Sequence, residues 1–115
     1  MKYLLMIVLL FSFNQVSAIF LTGNELLPKC EEFVTKTDHY FDSAICQAYI
    51  IGITDASITF VNWNNMEKDM CLPDNVGSRK LVRVVIKYLQ EHPEDLHLSA
   101  SSLVLNAFIK AFPCE

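Results

Sequence analysis

The chain has 115 residues, 52% of them hydrophobic, and nine Lys and Arg against thirteen Asp and Glu give a formal net charge of −4. That acidic balance argues against nucleic acid or an anionic membrane as partner and leaves a basic protein surface open. Only three glycines are present, and no repeat, low-complexity tract or Pro/Gly/Ser-rich linker divides the chain, so one domain is expected.

The first stretch reads as an export signal. Lys2 supplies a positive start, Tyr3 to Phe13 is almost unbroken in its apolar character, and Val16-Ser17-Ala18 offers small residues for cleavage. Residues 1–18 are therefore expected to leave as a signal peptide, with a single helical domain over 19–115. Loss of Lys2 leaves eight basic side chains against thirteen acidic ones, a net charge of −5.

Apolar residues in the remainder recur at helical spacing, which predicts an all-α bundle of about four helices in antiparallel hairpins. The first helix spans about Gly23 to Val34, with Leu26, Leu27, Cys30 and Phe33 inward and Pro28 in its first turns. The second spans about Asp42 to Trp63, with Asp42 or Ser43 as N-cap. Here Ala44, Ala48, Gly52 and Ala56 form a ridge of small side chains that would let another helix approach closely, the reason expected for a structural Gly52. Ile45, Tyr49, Ile53 and Phe60 fill the adjoining faces, so this helix is expected at the centre of the bundle. Gln47 and Asp55 argue against a membrane span. Asp55 itself is expected as a buried structural carboxylate, held by a helix end or by hydroxyls because an unpaired buried charge is costly.

The third helix spans about Ser78 to Gln90, with Leu81, Val82, Val85, Ile86 and Leu89 inward and a solvated basic stripe of Arg79, Arg83 and Lys87. His92-Pro93 stops it. The fourth begins near Ser99, carries Leu103, Val104, Ala107, Phe108, Ala111 and Phe112, and ends at Pro113.

Cys30, Cys46, Cys71 and Cys114 are an even set behind an export signal, with no CxxC pair, so two disulfides are expected. Three pairings are open to four cysteines. A short turn centred near Asp38 would make the first two helices antiparallel neighbours, with Cys30 and Cys46 each eight residues from that centre. Cys71 precedes the third helix and Cys114 follows the fourth, at the open end of a second hairpin. Cys30–Cys46 and Cys71–Cys114 are the expected pairs.

No catalytic constellation, cofactor motif or metal-ligand spacing stands out: GxSxG, HExxH and phosphate-cradling glycine loops are all missing. His92 and His97, with Glu94 and Asp95 between them, read as a solvated connector. The segment from Asn64 to Gly77 is the candidate interaction surface. It is long for a helix–helix connection, Cys71 anchors it, and it carries Glu67, Lys68, Asp69 and Asp74.

Several stretches together resemble the Rap/Tai family of periplasmic immunity proteins, which neutralise cell-wall amidases delivered by type VI secretion. They are Gly23-Asn24-Glu25-Leu26-Leu27 with Cys30, the run from Cys46 to Asp55, and Cys71-Leu72-Pro73. Val85 to Leu89, His92-Pro93-Glu94, Ala107-Phe108 and Phe112-Pro113-Cys114 complete the ordered set. The resemblance implies a non-enzymatic, disulfide-bonded helical protein, often a homodimer, that occupies the active site of a peptidoglycan amidase effector. It implies a periplasmic location, with no nucleic acid, membrane or cofactor as partner. A dimer would use the end of the second helix with Phe60 and Trp63, or its ridge of small residues. An acid-stress chaperone and a carrier of a small apolar ligand are the rival readings.

Overall fold

A computed structural model describes residues 20–35 and 40–115. The expected signal peptide and the expected turn around Asp38 lie outside the described residues. Among these residues there are four α-helices: α1 (Gly23–Thr35), α2 (Tyr40–Trp63), α3 (Ser78–Glu91) and α4 (Ala100–Ala111). A 3-10 turn, Pro93–Asp95, joins α3 to α4, and no strand occurs among the described residues. The fold is the expected all-α bundle with two disulfides.

α1 begins at Thr22 with the reach-back half of a capping box. The Glu25 carboxylate accepts from the Thr22 N–H at 2.8 Å and from its hydroxyl at 3.2 Å. The next two N–H groups are satisfied from outside the helix: Gly23 donates to the Leu98 carbonyl at 3.1 Å and Asn24 to that of Leu96 at 2.8 Å. This docking onto the α3–α4 connector requires glycine. A Cβ on residue 23 would lie 2.6 Å from a Leu103 side-chain carbon and 3.0 Å from backbone atoms of Leu96. Pro28 is the sixth residue of α1, beyond the turn whose N–H groups are unpaired in any helix. One intrahelical bond is therefore absent, a change from the expected harmless first-turn placement, and the helix continues through it.

Cys30 and Cys46 are joined, with Cα atoms 5.0 Å apart and both residues fully buried. One turn away the Lys29 ammonium meets the Asp42 carboxylate at 3.0 Å. α2 starts at Tyr40, so Asp42 lies in its first turn and is not its N-cap. Its charge suits the positive end of the helix there.

α2 departs from its expected central position. Its buried residues are Cys46, Ile50 and Thr54 alone, a single stripe at four-residue spacing. Ala44, Ala48, Gly52 and Ala56 are exposed, and so is Asp55. A Cβ added at Gly52 meets nothing within 4 Å, so no neighbour within this chain calls for glycine there. The reason is rotational. The disulfide turns Cys46 toward α1, and Ile50 and Thr54 follow it inward. At about 100° per residue, the small-residue ridge, displaced by two positions, and Asp55, displaced by nine, fall on the opposite side. Asp55 is thus a solvated carboxylate and not a buried structural one. Thr54, the buried polar residue, donates its hydroxyl to the Ile50 carbonyl at 2.7 Å. Gln47 donates to the Ser78 hydroxyl at 2.7 Å and ties α2 to the start of α3. By length and composition α2 could cross a membrane; the disulfide, the ion pair and the Gln47 bond attach it to the bundle.

α3 and α4 behave as their periodicity predicts. Leu81, Val82, Val85, Ile86 and Leu89 of α3 meet Ala100, Leu103, Val104, Ala107 and Phe108 of α4 in one core, which Leu26, Cys30, Cys46 and Ile50 complete. The Lys80 ammonium lies 5.8 Å from the Phe112 ring centroid, so the start of α3 neighbours the end of α4. The pair is antiparallel.

Candidate functional site

The C-terminus of α2 shapes the candidate surface. Asn65 has φ of 50°, a left-handed conformation that Asn tolerates better than most residues. The Met66 N–H donates to the Val61 carbonyl at 3.0 Å and the Asn65 N–H to that of Asn62 at 3.4 Å. This is a Schellman termination, whose usual companion is an apolar contact between its first and last residues, here Val61 and Met66. The Phe60 carbonyl accepts twice from Asn64, from its backbone N–H at 3.1 Å and from its side-chain amide at 2.8 Å. The chain thus reverses sharply and keeps Met66 beside the helix it has left.

Farther on, the same segment is fastened to the end of α4. Met70 and Pro113 form an isolated antiparallel bridge, and the Cys71 N–H donates to the Phe112 carbonyl at 2.9 Å. Cys71 and Cys114 are disulfide-bonded, with Cα atoms 5.0 Å apart. Pro113 therefore does two things: it stops α4 and it presents a backbone edge to the segment.

Between these two fixings lies an open cleft of about 400 Å³, floored by Ile58 and Val61 of α2, Leu105 and Ile109 of α4, and Met66 and Met70 of the segment. Glu67, Lys68 and Asp69 line it as well and are exposed. Asp74 is also exposed but does not line the cleft; it lies beyond Pro73, where the Val76 N–H turns back to the Pro73 carbonyl at 3.1 Å. The structure thus brings three of the four sequence-selected residues together and leaves the fourth apart.

Leu105 and Ile109 escaped the sequence reading. A signal existed, since they form an apolar pair four residues apart, off the face of α4 that enters the core. The same holds for Ile58 on α2.

The other described residues singled out by sequence do not gather at this cleft. The His92 ring stacks on Tyr88 with centroids 4.1 Å apart, and its Nδ1 lies 2.7 Å from the Tyr88 carbonyl, so that nitrogen carries the proton. No group of three or more His, Cys, Asp or Glu side chains is placed to hold a metal ion among the described residues. Arg79, Arg83 and Lys87 are exposed, and Lys87 reaches Glu91 at 3.9 Å along the same helix. Tyr49, half-buried between α2 and α4, has its phenol pushed above the ordinary value by burial, with an opposing hydrogen bond to Ser101.

A family model, that of the Rap1a immunity proteins, matches residues 22–114. No curated protein and no solved structure matches the chain. The matched span includes all four helices and all four cysteines, and the chain belongs to the Rap1a immunity protein family.

Proposed function

We propose that this Rap1a-family immunity protein is exported to the periplasm, where it binds and sterically blocks a peptidoglycan amidase effector of type VI secretion. It would protect the producing cell and its kin without chemistry of its own. The observation that carries this reading is the braced segment from Met66 to Cys71, an exposed stretch held at one end by the Schellman turn and at the other by the disulfide. Such a segment loses little conformational entropy when a partner engages it, which favours tight association. Glu67, Lys68, Asp69 and Asp74 are the proposed polar contacts, and inhibition would follow from occupation of the amidase cleft where the peptidoglycan peptide must lie.

The protein is further proposed to act as a homodimer through α2. Phe60 and Trp63 are 59% and 81% exposed at one end of α2, and Tyr40 and Phe41 are 85% and 75% exposed at the other, apolar surface that a second copy could cover. The small-residue ridge on the same helix offers a second copy a close approach.

The test is binding to, and inhibition of, the amidase encoded beside the gene, using the oxidised protein without residues 1–18. Stoichiometric inhibition at nanomolar affinity supports the reading. A binding-competent amidase left fully active, or no association at all, refutes it. Sedimentation of the same preparation tests the dimer, and a monomer at micromolar concentration would rule it out.

A further inference from the structure

The same segment does more than project. Three large hydrophobic residues that the fold leaves exposed, Ile58 at 41%, Met66 at 52% and Ile109 at 39%, come from three different elements and converge in the one cleft. A solvated apolar floor of this kind is unfavourable in the free protein, and its burial would drive association. Met66 and Met70 add side chains that adapt to an entering shape. The rim is acidic: Glu67, Lys68 and Asp69 line it, two carboxylates and one lysine, a net charge of −1.

We infer that this cleft is a socket for the effector: it receives an aliphatic or aromatic side chain that the amidase projects beside an arginine or lysine, the apolar group seating on Ile58, Met66 and Ile109 and the cation meeting Glu67 and Asp69. The inference rests on the immunity reading and adds to it a direction, since here the effector enters the immunity protein as well as the reverse. Charge decides among occupants. A free apolar ligand would bury the floor and leave the carboxylates unmatched, and an anionic lipid surface would be repelled by them. A protein segment combining apolar and basic groups satisfies both, in the usual anatomy of a desolvated anchor within a polar rim.

The test compares the wild-type protein with Ile109→Glu and with the double charge reversal Glu67→Lys/Asp69→Lys, by association kinetics with the adjacent amidase at several salt concentrations. Ile109 is part-exposed, so the variant should fold, and an unchanged far-UV spectrum with both disulfides intact checks that it does. Ile109→Glu should weaken affinity by about 30-fold or more, mostly through faster dissociation. The charge reversal should slow association by about 10-fold and flatten or invert its salt dependence. Wild-type binding that survives Ile109→Glu within twofold overturns the socket and leaves the immunity reading intact; failure of the wild-type protein to bind overturns both. A lipid retained by the purified protein and lost from Ile109→Glu would reassign the cleft to a small ligand. Loss of self-association in that variant would reassign it to a second copy.

Discussion

Removing each disulfide in turn separates two contributions that point in opposite directions. Cys71–Cys114 closes a loop of 43 residues and Cys30–Cys46 one of 16. Chain entropy alone makes the first worth about 4 kcal/mol and the second about 3 kcal/mol, so Cys71→Ser/Cys114→Ser should be the more damaging pair. Burial reverses the order. Cys30 and Cys46 are 0% exposed, and each serine hydroxyl placed there adds roughly 1–3 kcal/mol unless it finds a carbonyl. Cys71 is exposed and Cys114 part-exposed, so their serines add almost nothing. The expected losses are therefore about 5–9 kcal/mol for Cys30→Ser/Cys46→Ser against at most about 4 kcal/mol for the other pair. With total stabilities of about 5–15 kcal/mol typical of such domains, the core variant should be largely unfolded and the surface variant folded. Urea unfolding followed by circular dichroism measures both. The surface variant should also bind the amidase about 10-fold or more weakly, because the Met66–Cys71 segment loses its covalent end while its backbone bonds to Phe112 and Pro113 remain. Mild reductant followed by alkylation should label Cys71 and Cys114 before Cys30 and Cys46, since thiolate attack needs an accessible sulfur. If Cys71→Ser/Cys114→Ser is the less stable variant, or if all four thiols are labelled together, the assignment of a core staple and a surface clamp is wrong.

The two helical glycines should respond with opposite signs. Gly23→Ala should cost about 1–3 kcal/mol, because its Cβ meets Leu96 backbone that cannot move alone, whereas Gly52→Ala should gain about 1 kcal/mol in the monomer from helix propensity. If Gly52→Ala also weakens self-association in sedimentation, the ridge is the dimer seat; a Gly23→Ala midpoint equal to wild type would refute the close approach. Glu25→Ala should lower stability by about 1 kcal/mol through loss of the carboxylate that holds the Thr22 N–H, read from the urea midpoint. Tyr49 supplies the pH dependence. Its folded pKa lies above the ordinary value of 10.0, so the unfolded chain releases that proton first as pH rises. The contribution of Tyr49 is intact below about pH 10 and is lost above it. Tyr49→Phe should remove that component of the alkaline decline, and an unchanged slope of stability against pH would contradict the burial of the phenol.

What a sequence shows of its fold depends on which physical signal each feature leaves in one dimension. Periodicity marks helices because the turn repeats every 3.6 residues, and α3 was legible to its inward side chains because only one face is apolar. The cysteine pairs were legible because residues equidistant from a hairpin turn lie at one level. The acidic segment was legible as a long, covalently anchored connection. What did not show was the rotation of α2. A helix apolar on every side has no preferred face, so Asp55 and the Ala44–Ala56 ridge could be placed inward with equal consistency. The long-range Cys30–Cys46 bond chooses the face and turns both outward. The same is true of Gly23, whose requirement comes from Leu96 and Leu103, more than seventy residues away in the chain. It is true above all of the cleft, which exists only where the end of α2, the fastened segment and α4 meet. The sequence by itself determined the helices, their pairing and the staples, since each follows from local spacing. Tertiary structure alone decided which faces remain open to a partner, because that depends on the directions in which already-formed helices are turned against one another.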